Sequence, residues 1–130
     1  KSASEKGDIF LVDSLKTIEK KIMSAVTDSG SEIRVDATHK PGITNLLTIY
    51  AALQDVSIEE AALTFKDYRY GDFKKAVAVT VLTALGPLKA RAEAFLASGV
   101  VDEVLKAGAE KASVIANKTL VKVKKAVGLL

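Results

Sequence analysis

The sequence predicts an all-α fold: a helical bundle with two long helices and two or three shorter ones. Three observations carry that reading. Apolar residues recur at spacings of three and four along most of the chain. The polar, Gly- and Pro-containing stretches between these segments read as turns and connections rather than as strand boundaries. No strand-rich region, internal repeat or interdomain linker is visible, so all 130 residues are expected to form one domain.

Ile9 to Val12 is a short apolar stretch between Gly7-Asp8 and Asp13-Ser14, and it suits either a strand remnant or a packed turn. Asp13 or Ser14 can cap the first helix, whose apolar face is Leu15, Ile18, Ile22 and Val26. Next comes "TDSGSEIRVDATHKPG", a long polar connection in which a short strand over Ile33 to Val35 is conceivable. Pro41 sits in the first turn of a helix over Ile43 to Leu53, with Ile43, Leu46, Leu47, Tyr50 and Leu53 on one face.

"SIEE" from Ser57 to Glu60 has the form of a capping box and opens a helix burying Ile58, Ala62 and Phe65. After the turn "DYRYGD", a long helix is expected over Gly71 to Ala97, with an apolar stripe of Phe73, Val77, Val81, Ala84, Leu88, Ala92 and Phe95. Pro87 removes a backbone donor within it, which predicts a kink at Gly86-Pro87. The last helix is expected from about Val101 to Gly128, with an apolar stripe of Val101, Leu105, Ala112, Ala116, Val123 and Val127.

Composition narrows the chemistry. There is no cysteine, which excludes disulfides, thiolate catalysis and thiolate-bound zinc. The single histidine, His39, rules out a His-rich metal site and reads as a surface or capping residue in "DATHKPG". Glycine-rich phosphate-binding patterns are absent. Glu59-Glu60 is an acidic first turn, where carboxylates are favoured by the helix dipole. Asp28 and Asn45 read as residues that cap or brace the connection and its helix. No metal site is expected, and this chain on its own is expected to lack catalytic activity.

The net charge of +3 is small, so its placement matters more than its size. Lys111, Lys118, Lys122 and Lys125 fall within roughly 60° of one another at about 100° per residue. No acid follows Glu110. Like charges at these spacings repel, so the stripe suits either a polyphosphate, which reverses the penalty through counterion release, or a solvated face near a helix C-terminus, where lysines are favoured. Aromatic residues that could stack on bases are missing from this helix, so contacts here would position a nucleic acid rather than read it.

Five segments together resemble the C-terminal part of bacterial-type tryptophanyl-tRNA synthetases. They are "AVTDS", "KPGITNLLTIY", "YGDFKKAVAVTV", "LGPLKAR" and "GAEKASVIANKTLVKVKKAVGLL", in this order. The resemblance covers essentially the whole chain. It implies a helical anticodon-binding domain of a class I tryptophan-tRNA ligase, which activates tryptophan with ATP and transfers it to tRNA(Trp).

Lys1-Ser2 match the last two letters of the family's ATP-handling Lys-Met-Ser-Lys-Ser loop. Residues 1–12 would then be the remnant of that loop and of a connection to a nucleotide-binding domain upstream. On this resemblance Lys1 is the catalytic candidate, and Lys1 and Ser2 are the ATP-binding pair. Lys111, Lys118 and Lys122 are nominated for tRNA phosphates, with Arg91 and Lys89 as further candidates. ATP and Mg²⁺ would belong to the intact enzyme, with neither expected on this chain alone. The implied partners are tRNA(Trp) and the nucleotide-binding domain. The intact enzyme would be a cytoplasmic homodimer without membrane contact, and this chain alone a monomer. The competing reading is a free-standing helical RNA- or protein-binding module without ligase activity.

Overall fold

The computed structural model describes residues 7–130. Its elements are α1 (Leu15–Met23), α2 (Pro41–Gln54), α3 (Ile58–Phe65), α4 (Tyr70–Ala97) and α5 (Val100–Ala126), with no strand among the described residues. The fold class is the all-α helical bundle that the periodicity predicts. The chain divides into two compact units, residues 1–89 and 90–130.

The first unit contains the hydrophobic core. Ser14 caps α1, its Oγ accepting from the Thr17 N–H at 3.1 Å, and Ile18 and Ile22 point inward. The helix stops at Met23, where the Ser24 hydroxyl donates to the Lys21 carbonyl. Val26, expected on the apolar face, therefore lies beyond the helix and is 88% exposed. Its backbone instead runs hard against the start of α2. A Cβ at Gly42 would overlap the Val26 carbonyl oxygen, so only glycine permits this approach.

Pro41 occupies the first turn of α2, and Ile43, Leu46, Leu47 and Ala51 are buried. Leu53 was expected on the same face but is exposed, one residue from the end of the helix. Asp55 then ends α2 in the left-handed region. Both halves of the capping box form at α3: the Ser57 Oγ accepts from Glu60 N–H, and the Glu60 carboxylate accepts from Ser57 N–H. Those hydrogen bonds hold the Glu60 carboxyl below its ordinary range.

Phe65 is the centre of an aromatic cluster. Its ring lies 4.7 Å from Tyr50, 5.1 Å from Tyr68 and 4.9 Å from Phe73, at angles suited to edge-on contact. Phe73, Val77, Ala78 and Val81 carry the core along α4. The buried face ends at Val81, whereas the sequence pattern continues through Leu88 and Phe95, both of which are exposed. The physical reason is length. The three helices before α4 are 9, 14 and 8 residues long and cannot cover a 28-residue helix.

The connection before α2 forms no strand over Ile33 to Val35, although Ile33 is buried. Side chains take the backbone groups that a ladder would have used. Tyr70 Oη lies 3.2 Å from the Glu32 carbonyl, and the Asp36 N–H donates to Thr44 Oγ1. Ile9 to Val12 is likewise a turn, with Asp13 N–H donating to the Phe10 carbonyl.

The second unit comprises the end of α4, a turn at Ser98-Gly99 and α5. Gly99 adopts a positive φ of 75° there. No residue of α5 is buried. The stripe of Val101, Leu105, Ala112, Ala116, Val123 and Val127 follows helical spacing but does not form core.

Candidate functional site

Three constellations of charged groups organise the chain. The most enclosed is built on Lys40, a charged residue only 8% exposed. Its position just before α2 offers no side-chain cap, and the side chain reaches inward instead. Nζ donates to Asp28 Oδ1 at 3.0 Å and to Tyr70 Oη at 2.8 Å. Tyr70 Oη in turn lies within hydrogen-bonding reach of both Asp28 oxygens, at 2.9 and 3.0 Å. The Gly30 N–H donates to Asp28 Oδ1 at 2.7 Å.

Burial opposes ionisation of Asp28. The Lys40 ammonium, the Gly30 N–H and the Tyr70 hydroxyl outweigh it and bring its pKa down from 3.8 to about 2. Tyr70 and Asp28 together hold the Lys40 ammonium above the usual lysine range, against the effect of burial. A side chain at Gly30 would collide with Asp28 Oδ1 and Lys40 Nζ. Asp28 is thus the brace that the sequence suggested. Asn45 is exposed on α2.

The second constellation holds the segment leading into α1. Lys21 Nζ donates to the Asp8 carbonyl at 2.8 Å and to Asp13 Oδ2 at 2.7 Å, and it lies 4.9 Å from the centre of the Phe10 ring. Asp13 Oδ2 also accepts from the Phe10 N–H. Lys21, followed by the Phe10 amide, holds the Asp13 carboxyl below its usual range. Lys89 belongs to the same neighbourhood, with Nζ 3.4 Å from the Val12 carbonyl. Lys89 is also one of the residues nominated from sequence as an RNA contact.

The third constellation is the α5 surface. Lys118 and Lys122 flank a shallow groove with Val114, Asn117 and Val121, and Lys111 is exposed two turns earlier. Arg91 lines a separate apolar hollow with Ala94, Phe95, Ser98 and Val100. Residues 90–130 contain seven basic and four acidic side chains, while residues 1–89 contain twelve of each. The net charge of +3 is therefore carried entirely by the second unit. Asp102, Glu103 and Glu110 lie in the first half of α5, leaving five lysines without an acid beyond them.

His39 is exposed, its Nδ1 3.2 Å from the Asp36 carboxylate, in keeping with a surface role. Asp36 also accepts from the backbone of Thr38 and His39. Hydrogen bonds from His39, the backbone one foremost, keep its carboxyl below the ordinary range. Among the described residues no group of three or more His, Asp or Glu side chains could hold a metal ion. No described helix is long and apolar enough to cross a membrane. Lys1 and Ser2 lie outside the described residues.

Residues 1–86 match the family described as tRNA synthetases class I (W and Y), and the chain belongs to that family. Its curated relatives are tryptophan–tRNA ligases. The enzyme of Enterococcus faecalis is 46% identical over 124 residues, which is 95% of this chain and 37% of that relative. The enzyme of Listeria monocytogenes is 46% identical over 127 residues, covering 98% of this chain and 38% of its own length. The chain thus spans just over a third of the relatives it matches. The crystal structure of tryptophanyl-tRNA synthetase from Mycoplasma pneumoniae superposes with a TM-score of 0.55 at 28% identity, over 69% of this chain and 30% of that one.

Proposed function

We propose that this chain is the helical, tRNA-binding part of a tryptophan-tRNA ligase and that it brings the end of the ATP-handling loop to the active site. The supporting observation is identity of about 46% across nearly the whole chain to enzymes of that name. In the reaction, the tryptophan carboxylate attacks the α-phosphorus of ATP and pyrophosphate leaves. The aminoacyl group then passes to the 3′ end of tRNA(Trp). Lys1 stabilises charge developing on the leaving pyrophosphate, and Ser2 shapes the loop around it. Mg²⁺ and the tryptophan pocket belong to other parts of the enzyme, which works in the cytoplasm as a homodimer.

Residues 1–130 act as the anticodon-arm domain. Lys111, Lys118 and Lys122 meet the RNA backbone, and Arg91 is a further contact. An arm suits this task because the anticodon lies far from the reacting 3′ end, and α5 at 27 residues extends about 40 Å. Lys118 and Lys122 are about 6 Å apart along the helix and Lys111 is about 10 Å further back, a scale matching successive phosphates of one strand. No base-reading residue is required for this role.

The test is tryptophan-dependent ATP–pyrophosphate exchange in the complete gene product, with and without Lys1→Ala. The variant should lose exchange by orders of magnitude while tRNA binding is kept. Undiminished exchange would refute the role given to Lys1.

A further inference from the structure

Phe95 stands apart from the other aromatic residues of the chain. Phe65 packs with Tyr50, Tyr68 and Phe73, the Phe10 ring meets Lys21, and the Tyr70 ring meets Lys40. Phe95 has no aromatic or cationic partner among the described residues and is 53% exposed. It is also the single aromatic residue between positions 90 and 130.

Phe95 lines an open apolar hollow of about 380 Å³ with Arg91, Ala94, Ser98 and Val100. Arg91 precedes Phe95 by one turn on the same face of α4, so guanidinium and ring open on one hollow. No hydrogen bond or ion pair holds that guanidinium among the described residues. The rim is tied in place. Ser98 Oγ donates to the Phe95 carbonyl at 2.8 Å and accepts the Val100 N–H at 3.4 Å.

Val100 begins α5. At about 100° per residue, Val100, Lys111, Lys118, Lys122 and Lys125 fall within about 60° of one another. The hollow therefore opens at the head of the lysine face, about 16 Å along the helix axis from Lys111. Between them that face carries Val104 and Ala107, neither of them charged. Asp102 lies on the opposite side of α5, and Glu103 and Glu110 stand about 60° and 80° from Val100.

We propose that this hollow takes one unstacked base of the tRNA anticodon loop, its face on the Phe95 ring and its phosphate on Arg91. This rests on the reading of α5 as a surface for RNA backbone. Single-stranded loops present bases that splay out and stack on aromatic rings. An apolar protein segment would fill the hollow but leave the guanidinium and the adjoining lysine face without a counterpart. Stacking accepts any base, so Phe95 holds the loop rather than reading its sequence.

The experiment measures binding of tRNA(Trp) by the complete gene product and by its Phe95→Ala, Phe95→Leu, Phe95→Tyr and Arg91→Ala variants. Phe95→Ala and Phe95→Leu should weaken binding by about 5- to 100-fold, and Phe95→Tyr should stay within about threefold of the parent. The salt slope should hold in the Phe95 variants and fall by about 0.7–0.9 in Arg91→Ala. An abasic nucleotide is then placed at each anticodon-loop position in turn. At one position its loss and that of Phe95→Ala should fail to add. The urea midpoint should not move, because the ring is half-exposed and packs on no other ring.

Parent-like binding by Phe95→Leu overturns stacking, since apolar volume alone would then serve, and so does additivity at every loop position. Full affinity in Phe95→Ala, beside affinity lost on changing Lys111, Lys118 and Lys122 together, overturns the base site and leaves the RNA face standing. Undiminished affinity in both overturns the base site along with the reading beneath it. Full tRNA affinity with a lowered urea midpoint or weakened dimerisation overturns it in favour of a protein segment covering the hollow.

Discussion

Tyr70→Phe removes one oxygen from the centre of the Asp28–Lys40–Tyr70 brace. That hydroxyl accepts from Lys40 at 2.8 Å and lies 2.9 and 3.0 Å from the two Asp28 oxygens. Both partners are charged, and hydrogen bonds to charged groups contribute roughly 1.5–3 kcal/mol each in mutational series. The ring remains, so little apolar area is lost and no sizeable cavity opens. With both bonds lost, the expected loss is about 3 kcal/mol or more in urea unfolding followed by circular dichroism at 222 nm.

The effect should fade in acid. Asp28 has a folded pKa of about 2 against an ordinary 3.8. A carboxyl lowered on folding contributes stability that is fully present above its unfolded value and is lost as pH falls through the folded one. Stability should therefore decline from about pH 4 towards pH 2, and the gap between Tyr70→Phe and the parent should narrow over that window. A loss under about 0.5 kcal/mol at pH 7, the level of an ordinary surface change, would refute the brace as a structural tie. So would a gap that stays constant down to pH 2.

Other expectations follow from the packing. Phe65→Ala removes the ring shared by Tyr50, Tyr68 and Phe73 and should cost about 3–5 kcal/mol by the same urea assay. Gly42→Ala forces a methyl onto the Val26 carbonyl and should cost about 1–3 kcal/mol or more, whereas Gly108→Ala on α5 meets open space and should be neutral or slightly stabilising. Equal effects of the two glycine changes would contradict the close approach at α2. Ser57→Ala breaks the capping box and should cost about 1 kcal/mol, read from the urea midpoint.

The helices were legible where local chemistry decides them. "SIEE" specifies the start of α3 because the capping box is a contact over three residues, and Pro41 marks the start of α2 for a similar reason. The core faces of α1, α2 and the first half of α4 follow from spacing alone. Burial of α5 and of the end of α4 did not follow, because periodicity shows that a face is apolar without showing what covers it. Val26 was misread because the helix stop lies in the Ser24 hydroxyl and in the crowding at Gly42, neither of which alters the apolar pattern.

Among the charged constellations, Asp28 was readable as a brace, but its partners were not. Lys40 lies 12 residues away and Tyr70 lies 42 away, and no local rule joins them. Lys21 lies on α1, and no local pattern marks it out there. Its tie to Asp8 and Asp13 depends on how the preceding segment folds back.

The salt dependence of tRNA binding tests most directly whether the lysine face of α5 holds RNA backbone, as proposed. With Lys111, Lys118 and Lys122 all changed to alanine, the slope of log affinity against log salt should shrink by about 2–3, at roughly 0.7–0.9 per lost phosphate contact. Over a fourfold rise in salt from 50 to 200 mM, that corresponds to about 20- to 40-fold less salt sensitivity. An unchanged slope and affinity in the triple variant would contradict the claim.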